Sequence, residues 1–355
     1  LALIDQYGAD AVRFGILVSS PAGNDLMFDE SALEQGRNFN NKIWNALKLL
    51  KMWQDRQSSD VNRESSDMSG EPSASASHAS LLNTHDFALD WFENRMNKVK
   101  TEVDSLMKQF RLSEALKNIY SLIWDDFCSW YLEWIKPGFE QPIDTAVYNK
   151  TIYYFEELMQ LLHPYMPFVT EEIYHLLKEQ SDDLCVKQFA AVQTVDENIL
   201  ILGEILKNDI TAIRDARRKN EIKNIEQIKF MGNAGADFIY LNNQNLLMLL
   251  AKQANLKYSI PENIEKNSPN EIVVNSDGRT FFLTVDKKID KSSQKEELLK
   301  DLEHQKAFLL SVDKKLSNDK FVQNAKPEVL ALEQKKKADA QARIKTIEES
   351  LSTIN

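Results

Sequence analysis

Arg37-Asn38-Phe39-Asn40-Asn41-Lys42-Ile43-Trp44-Asn45-Ala46-Leu47-Lys48-Leu49-Leu50-Lys51-Met52-Trp53 is the stretch on which the reading of this 355-residue chain turns. Phe39, Ile43, Ala46, Leu47, Leu50 and Trp53 recur at steps of three and four, which places them on one apolar face of a helix. The other faces carry Arg37, Asn38, Asn41, Lys42, Asn45, Lys48 and Lys51, and no acid falls within the run. Two readings stand side by side. In one, the polar side is the solvated face of a bundle helix. In the other, its cations attract phosphates while its amides donate to and accept from base edges.

Upstream, residues 1–20 read as helix, with Gly8 between an entry turn and the run Ala11, Val12, Phe14, Gly15, Val18; Pro21-Ala22-Gly23-Asn24-Asp25 is a turn cluster. The abrupt start at Leu1, without an initiator Met, suggests a fragment. Downstream, the Ser-rich stretch 57–80 lacks the apolar surface to offset ordering entropy and is expected to be a flexible surface loop. Amphipathic helices follow over 86–110, 113–134, 146–162 and 168–179, broken at Pro137-Gly138 and between Pro164 and Pro167. With the Arg37 helix these make an antiparallel bundle.

After Ser181 the pattern changes. Strands are expected over 186–192, 225–231 and 238–241, helices over 198–219 and 245–254, and a hairpin of 271–275 with 280–285 about Ser276-Asp277-Gly278-Arg279. From Lys287 the chain is helical and charged. Leu298, Leu302, Gln305, Leu309, Val312 and Leu316 form one heptad seam; Ala340, Ile344, Ile347, Leu351 and Ile354 form a second beyond Lys326-Pro327. Folded at the 318–326 connection, the two seams satisfy each other as an antiparallel coiled-coil hairpin, although a generic coiled coil is more commonly a dimerisation or spacer device. The expected fold is therefore mainly α: a helical bundle, a small α/β module and a C-terminal coiled-coil hairpin.

The net charge of −11 argues at first against nucleic acid, but it is unevenly spread. Residues 57–206 hold 11 basic and 25 acidic side chains, whereas 207–223 hold six and three, and 287–355 fifteen and twelve. Acidity is local, and charge does not veto RNA. Cys128 and Cys185 lack zinc or disulfide spacing and read as reduced thiols. With no signal peptide and no apolar run of membrane-spanning length, a cytoplasmic protein without membrane contact is expected.

Candidate catalytic groups fare poorly. Asp125, Asp126 and Cys128 cluster without a nearby histidine, and a Cys on an apolar helix face is usually inert. His163 beside Glu171 and Glu172 reads as a helix–turn–helix corner, with Thr170 or a neighbour capping. The scattered His78, His85, His175 and His304 show no metal-ligand spacing, so no metal is expected. Arg214, Arg217 and Arg218 suit either a phosphate or a solvated helix C-terminus equally.

Ile4-Asp5-Gln6-Tyr7-Gly8-Ala9-Asp10-Ala11-Val12-Arg13-Phe14, then Gly23-Asn24-Asp25-Leu26-Met27-Phe28-Asp29, then the Asn-Phe-Asn-Asn-Lys-Ile-Trp-Asn-Ala run resemble, in order and spacing, class I aminoacyl-tRNA synthetases after their ATP-binding signature. Among these the chain looks most like the valyl-tRNA synthetases, and Lys314-Lys315-Leu316-Ser317-Asn318-Asp319-Lys320-Phe321-Val322 resembles their C-terminal arm. The resemblance implies a stem-contact helix and loop at 1–30, an anticodon-binding bundle at 31–180, the α/β module at 181–286 and an arm at 287–355 that reaches the outer corner of the tRNA. It implies anticodon contacts by Arg37, Asn38, Asn41, Lys42 and Asn45, and weaker contacts to the tRNA elbow or phosphates by Lys314, Lys315, Lys335, Lys336, Lys337 and Arg343. Leu49 and Ser31 stand where an aromatic stacker and a further cation are looked for. The family's HIGH motif, its Lys-Met-Ser-Lys-Ser loop and its editing sequence are absent here, so this chain alone is expected neither to bind ATP productively nor to aminoacylate. ATP and Mg would serve the whole enzyme, whose catalytic and editing domains lie on the same polypeptide, with valine tRNA as partner and a monomer as the working unit. The alternatives are the corresponding part of the isoleucine or leucine enzyme, or a non-catalytic helical adaptor that binds protein.

Overall fold

The computed structural model describes residues 2–20, 29–56, 75–177, 182–222, 225–230, 239–240, 243–254, 271–277, 279–285, 291–318 and 327–354. The chain divides into two compact units, Leu1–Gly203 and Glu204–Asn355.

The first unit is helical. α1 (Ala2–Tyr7) and α2 (Ala9–Val18) meet at Gly8, and α3 (Glu30–Gln54) is the Arg37 helix. Asp29 caps α3, its carboxylate accepting from Ser31 N at 2.9 Å and Ser31 Oγ at 2.5 Å. Those two bonds hold the Asp29 carboxyl below the usual carboxylate range. Every residue of the expected apolar stripe, from Phe39 to Trp53, is buried. α2 and α3 pack at glycine contacts: a Cβ on Gly36 would lie 2.8 Å from the Ala11 carbonyl oxygen and 2.9 Å from its Cα. The neighbour is backbone and has little room to give. Gly36→Ala is therefore expected to destabilise the unit by about 1–3 kcal/mol through overpacking. The measurement is the urea midpoint of tryptophan fluorescence, and an unchanged midpoint would mean the helices slide apart freely.

α4 (Ser75–Lys108) and α5 (Leu112–Ser121) follow, and the second continues without a break into a π-helical segment, Leu122–Tyr131, and α6 (Leu132–Ile135). The first six residues of α4 were expected to belong to the flexible Ser-rich loop. Ser75-Ala76-Ser77-His78-Ala79-Ser80 instead extends the helix, while 57–74, like the turn cluster 21–25, lies outside the described residues. α7 (Thr145–Leu162), capped by Asp144, and α8 (Pro167–Leu177) complete the bundle. Its centre is aromatic. The Phe92 ring lies 5.2 Å from Phe127, 4.8 Å from Tyr131 and 5.3 Å from Tyr154, and Phe127 stacks on Phe155 at 5.5 Å. Burying such rings contributes roughly 1.5–3 kcal/mol each.

The cap on α8 is not Thr170. Thr170 Oγ1 donates to the Met166 carbonyl at 2.8 Å, while Asp10, from α2, accepts from Phe168 N at 3.2 Å and Val169 N at 2.7 Å. The strand expected over 186–192 does not form. Leu184–Val186 is a 3-10 turn, and the chain then runs irregularly to Asp196. Val186, Phe189 and Val192 are three residues apart, out of step with the two-residue period of a strand; they are exposed and pair with no strand among the described residues, and Gln160 Nε2 donates to the Lys187 carbonyl at 2.6 Å.

α9 (Glu197–Lys219) enters the second unit, which holds β1 (Ile225–Phe230), α10 (Gln244–Ala254), β2 (Glu271–Ser276) and β3 (Arg279–Val285). The sheet is antiparallel in the order β1-β3-β2, with Ile228 opposite Leu283 and Val273 opposite Phe282. The strand expected at 238–241 is corrected at its two described residues: Ile239 and Tyr240 are helical. Burial decides here over β propensity, because Tyr240 is fully buried and its hydroxyl donates to Asp209 on α9 at 2.7 Å.

α11 (Lys291–Leu316) and α12 (Pro327–Ile354) pair along the two expected seams. Val312, Ala340 and Ile347 are buried, and Leu298, Leu302, Gln305, Leu309, Leu316, Ile344 and Leu351 are half-buried between exposed neighbours. Lys306 reaches Glu348 across the pair at 2.7 Å, and Ser350 Oγ reaches Asn275 on β2 at 3.2 Å, seating the end of α12 on the hairpin.

Candidate nucleic-acid interface

Because the apolar stripe of α3 turns inward, Arg37, Asn38, Asn41 and Asn45 emerge exposed on the opposite side and Lys42 half-buried on its flank. Among the described residues the side chains of Asn38, Asn41 and Asn45 have no hydrogen-bond partner and Lys42 has no carboxylate partner. Arg37 is less available, paired with Glu34 at 3.3 Å and 5.5 Å from the Tyr7 ring. The Lys42 ammonium lies 5.2 Å from the centre of the Trp124 ring. One helix face thus offers three amides and two cations, fit for acceptors and donors of a base edge and for phosphate.

The catalytic candidates resolve into structural contacts. Asp126 is buried against Arg95 at 2.7 Å, and Asp125 accepts from Ser121 at 2.9 Å. Burial pushes the Cys128 thiol up to about 12, against a smaller opposing pull from Lys42, so it carries almost no thiolate at neutral pH. His163 Nδ1 meets Thr170 Oγ1 at 2.8 Å within the α7–α8 corner. Glu171, His175 and Asp183 do bring one ligand atom each within 4.8 Å of one another, a grouping that sequence spacing hid because Asp183 comes from beyond α8. Glu171 also accepts from Leu184 N at 2.8 Å, so the group ties the following turn to the helix.

The Arg214 cluster is a helix-terminus device. Arg214 bonds Gln253 Oε1 at 2.8 Å and Arg217 bonds the Ala254 carbonyl at 2.9 Å, both at the C-terminal end of α10. Arg218 is exposed beside Asp215. On the arm, Lys336 and Lys315 share Glu333 at 2.7 and 3.8 Å, Lys337 meets Asp313 at 2.8 Å and Arg343 meets Asp301 at 3.5 Å. Lys314 and Lys335 are exposed and have no acidic partner among the described residues. The arm cations therefore hold the helix pair together at least as much as they face outward. They lie in the second unit and the α3 face in the first.

Sequence reasoning missed Trp124, which lies beside Lys42, and Tyr120, which stacks on Trp124; both are half-buried. Their spacing of four was a usable signal, obscured because a regular 3.6-residue count does not carry through the π-helical segment.

Residues 90–231 match the model of the anticodon-binding domain of tRNA ligases. Over its full length the chain is 37% identical to the valine--tRNA ligase of Parabacteroides distasonis, covering 38% of that protein. It is 38% identical to that of Porphyromonas gingivalis, again over its full length and covering 37% of the relative. The chain therefore spans well under half the length of these curated relatives. Among solved structures, a LeuRS–tRNA–LeuAMS ternary complex from Agrobacterium radiobacter is similar with a TM-score of 0.36 at 15% identity, over 56% of this chain and 21% of that one. Among the described residues no helix is long and apolar enough to cross a membrane. Along its whole length this chain is a homologue of the valine--tRNA ligases, and it carries the anticodon-binding domain of tRNA ligases.

Proposed function

We propose that this chain is the tRNA-recognition part of a valine--tRNA ligase, reading the anticodon of valine tRNA with α3 and touching the tRNA's outer corner with the α11–α12 arm. The observation that carries this reading is the outward face of α3, where Asn38, Asn41 and Asn45 lack hydrogen-bond partners and Lys42 lacks a carboxylate among the described residues. Unstacked anticodon bases expose Watson–Crick edges to such amides, and cations beside them position the backbone. Attachment of valine belongs to the remainder of the longer relatives, with ATP and Mg acting at that catalytic part; this chain supplies affinity and selection in the cytoplasm. A single copy fits this reading, since α11 and α12 occupy each other's seams and leave the coiled coil no need of a second chain.

The test is binding of the chain to valine tRNA, an isoleucine tRNA and an anticodon-swapped valine tRNA at two salt concentrations. Preference for the valine anticodon is the expected result. Equal binding to all three would leave shape recognition by the arm, and no binding would favour a protein-binding adaptor. Lys42→Ala is expected to weaken binding roughly ten-fold, as loss of one charged hydrogen bond does. It should also lower the salt slope by about one if Lys42 meets phosphate. A folded Lys42→Ala chain with unchanged affinity would remove Lys42 from the interface.

A further inference from the structure

Most large rings of the bundle are buried, including Phe14, Phe39, Trp53, Trp91, Phe92, Phe127, Tyr131 and Trp134. Tyr120 and Trp124 are only half-buried, and they stack on each other with centroids 5.5 Å apart and planes 17° apart. Tyr120 is fixed from beneath by Phe39 at 4.7 Å and Phe14 at 5.8 Å, which leaves it little freedom. Trp124 lies on the π-helical segment, whose Ser129 Oγ donates back five residues to the Trp124 carbonyl at 2.8 Å. π-helical geometry is rare and occurs frequently at functional sites. Beside the indole stands Lys42, 5.2 Å from its ring and without a carboxylate partner among the described residues.

A lysine stem lying over a flank tryptophan is common enough as simple packing. Here three further features converge: a second ring stacked beneath the indole, a local π helix, and the amide face of α3 that also carries Lys42. A rigid aromatic step with a mobile cation beside it is the composition of single-stranded nucleic-acid sites, where bases stack on rings and cations follow the backbone. An amide face alone reads edges and offers no place for a base's flat side.

We propose that the Trp124 indole, seated on Tyr120, is the stacking platform for one unpaired base of the tRNA anticodon loop, with Lys42 moving from the ring to the adjoining phosphate. This rests on the tRNA-recognition reading of α3 and adds the group that holds the base plane. Trp124 and Lys42 then act on different parts of one nucleotide, so their loss has different signatures.

The experiment uses the full chain and an RNA hairpin with the valine anticodon loop carrying 4-thiouridine at one anticodon position at a time. Photo-crosslinked peptides are mapped by mass spectrometry, and affinities are measured for Trp124→Leu, Trp124→Phe and Lys42→Ala at several salt concentrations. The expected result is a crosslink to Trp124 from one position. Trp124→Leu should bind roughly ten-fold more weakly with an unchanged salt slope, whereas Trp124→Phe stays near wild type. Lys42→Ala should lower the slope. Should Trp124→Leu fail to fold, the crosslink in the unaltered chain decides by itself. Selective binding with crosslinks only to peptides lacking Trp124, or with Trp124→Leu folded and unweakened, overturns the platform and leaves the recognition reading standing. Failure of the unaltered chain to bind any tRNA overturns both.

Discussion

Asp209→Ala is expected to unfold the second unit at denaturant concentrations that leave the first intact. Asp209 is fully buried on α9 and accepts three contacts from the Arg279 guanidinium at 2.8–3.1 Å, and the Tyr240 hydroxyl donates to it at 2.7 Å. One carboxylate thereby joins α9 to β3 and to the short helical segment at 239–240. Burial and the adjoining Asp209 carboxylate push the Tyr240 phenol well up, so it stays a neutral donor across the physiological range. Removing Asp209 leaves a mostly buried guanidinium whose remaining acidic neighbour, Asp277, is exposed and 3.8 Å away. Breaking a buried pair from one side costs about 3–5 kcal/mol, a large share of the stability of an ordinary domain. All six tryptophans lie between Trp44 and Trp134, within the first unit, so the two units report separately. The far-UV circular dichroism transition should split, its second-unit part moving to lower urea while the fluorescence transition stays in place. Coincident and unmoved transitions would mean that water satisfies Arg279 easily. Because α12 is seated on the hairpin through Ser350 and Asn275, the same substitution should loosen the arm.

The α3 stripe and the two heptad seams were legible because their information is local: a repeat of three and four can be counted along the chain. The Asn/Lys face followed as its complement. What could not be counted are contacts between distant polar groups. Asp10 caps a helix that begins at Pro167, Asp209 meets Arg279, and Glu157 meets Lys100, and nothing at either end of these pairs announces the other. Local patterns also misled where tertiary contacts, or their lack, overrode them. The apolar residues Val186, Phe189 and Val192 are spaced by three, stay exposed and have no partner strand among the described residues, and Tyr240 is placed by its hydroxyl. In the candidate interface, the charges of the arm were visible in sequence, but not that Lys315, Lys336, Lys337 and Arg343 lie against Glu333, Asp313 and Asp301. Trp124 stayed hidden for a geometric reason, since the π-helical segment shifts which residues turn outward.

Glu157→Ala should produce the matching effect in the first unit. Lys100 and Glu157 face each other at 2.5 Å with side chains 7% and 2% exposed, between α4 and α7. Lys187, from the irregular segment after α8, comes within 3.6 Å of Glu157 and pairs with Glu156 at 2.5 Å. Losing Glu157 leaves Lys187 its partner in Glu156 but strands the Lys100 ammonium inside the bundle. The expected cost is about 3–5 kcal/mol, seen as an earlier tryptophan-fluorescence transition. The double substitution Lys100→Met with Glu157→Leu separates two explanations of that loss. If the penalty is the uncompensated charge, replacing both partners by apolar groups of similar size should restore most of the stability, because mutual attraction only offsets desolvation. If the pair instead contributes strongly by itself, the double variant will be nearly as unstable as Glu157→Ala. The first outcome is expected, since buried aliphatic and aromatic side chains already surround this part of α7 and can close over a methionine and a leucine. It would leave the pair a role in register, holding α4 against α7 with Lys187 drawn to the same acids.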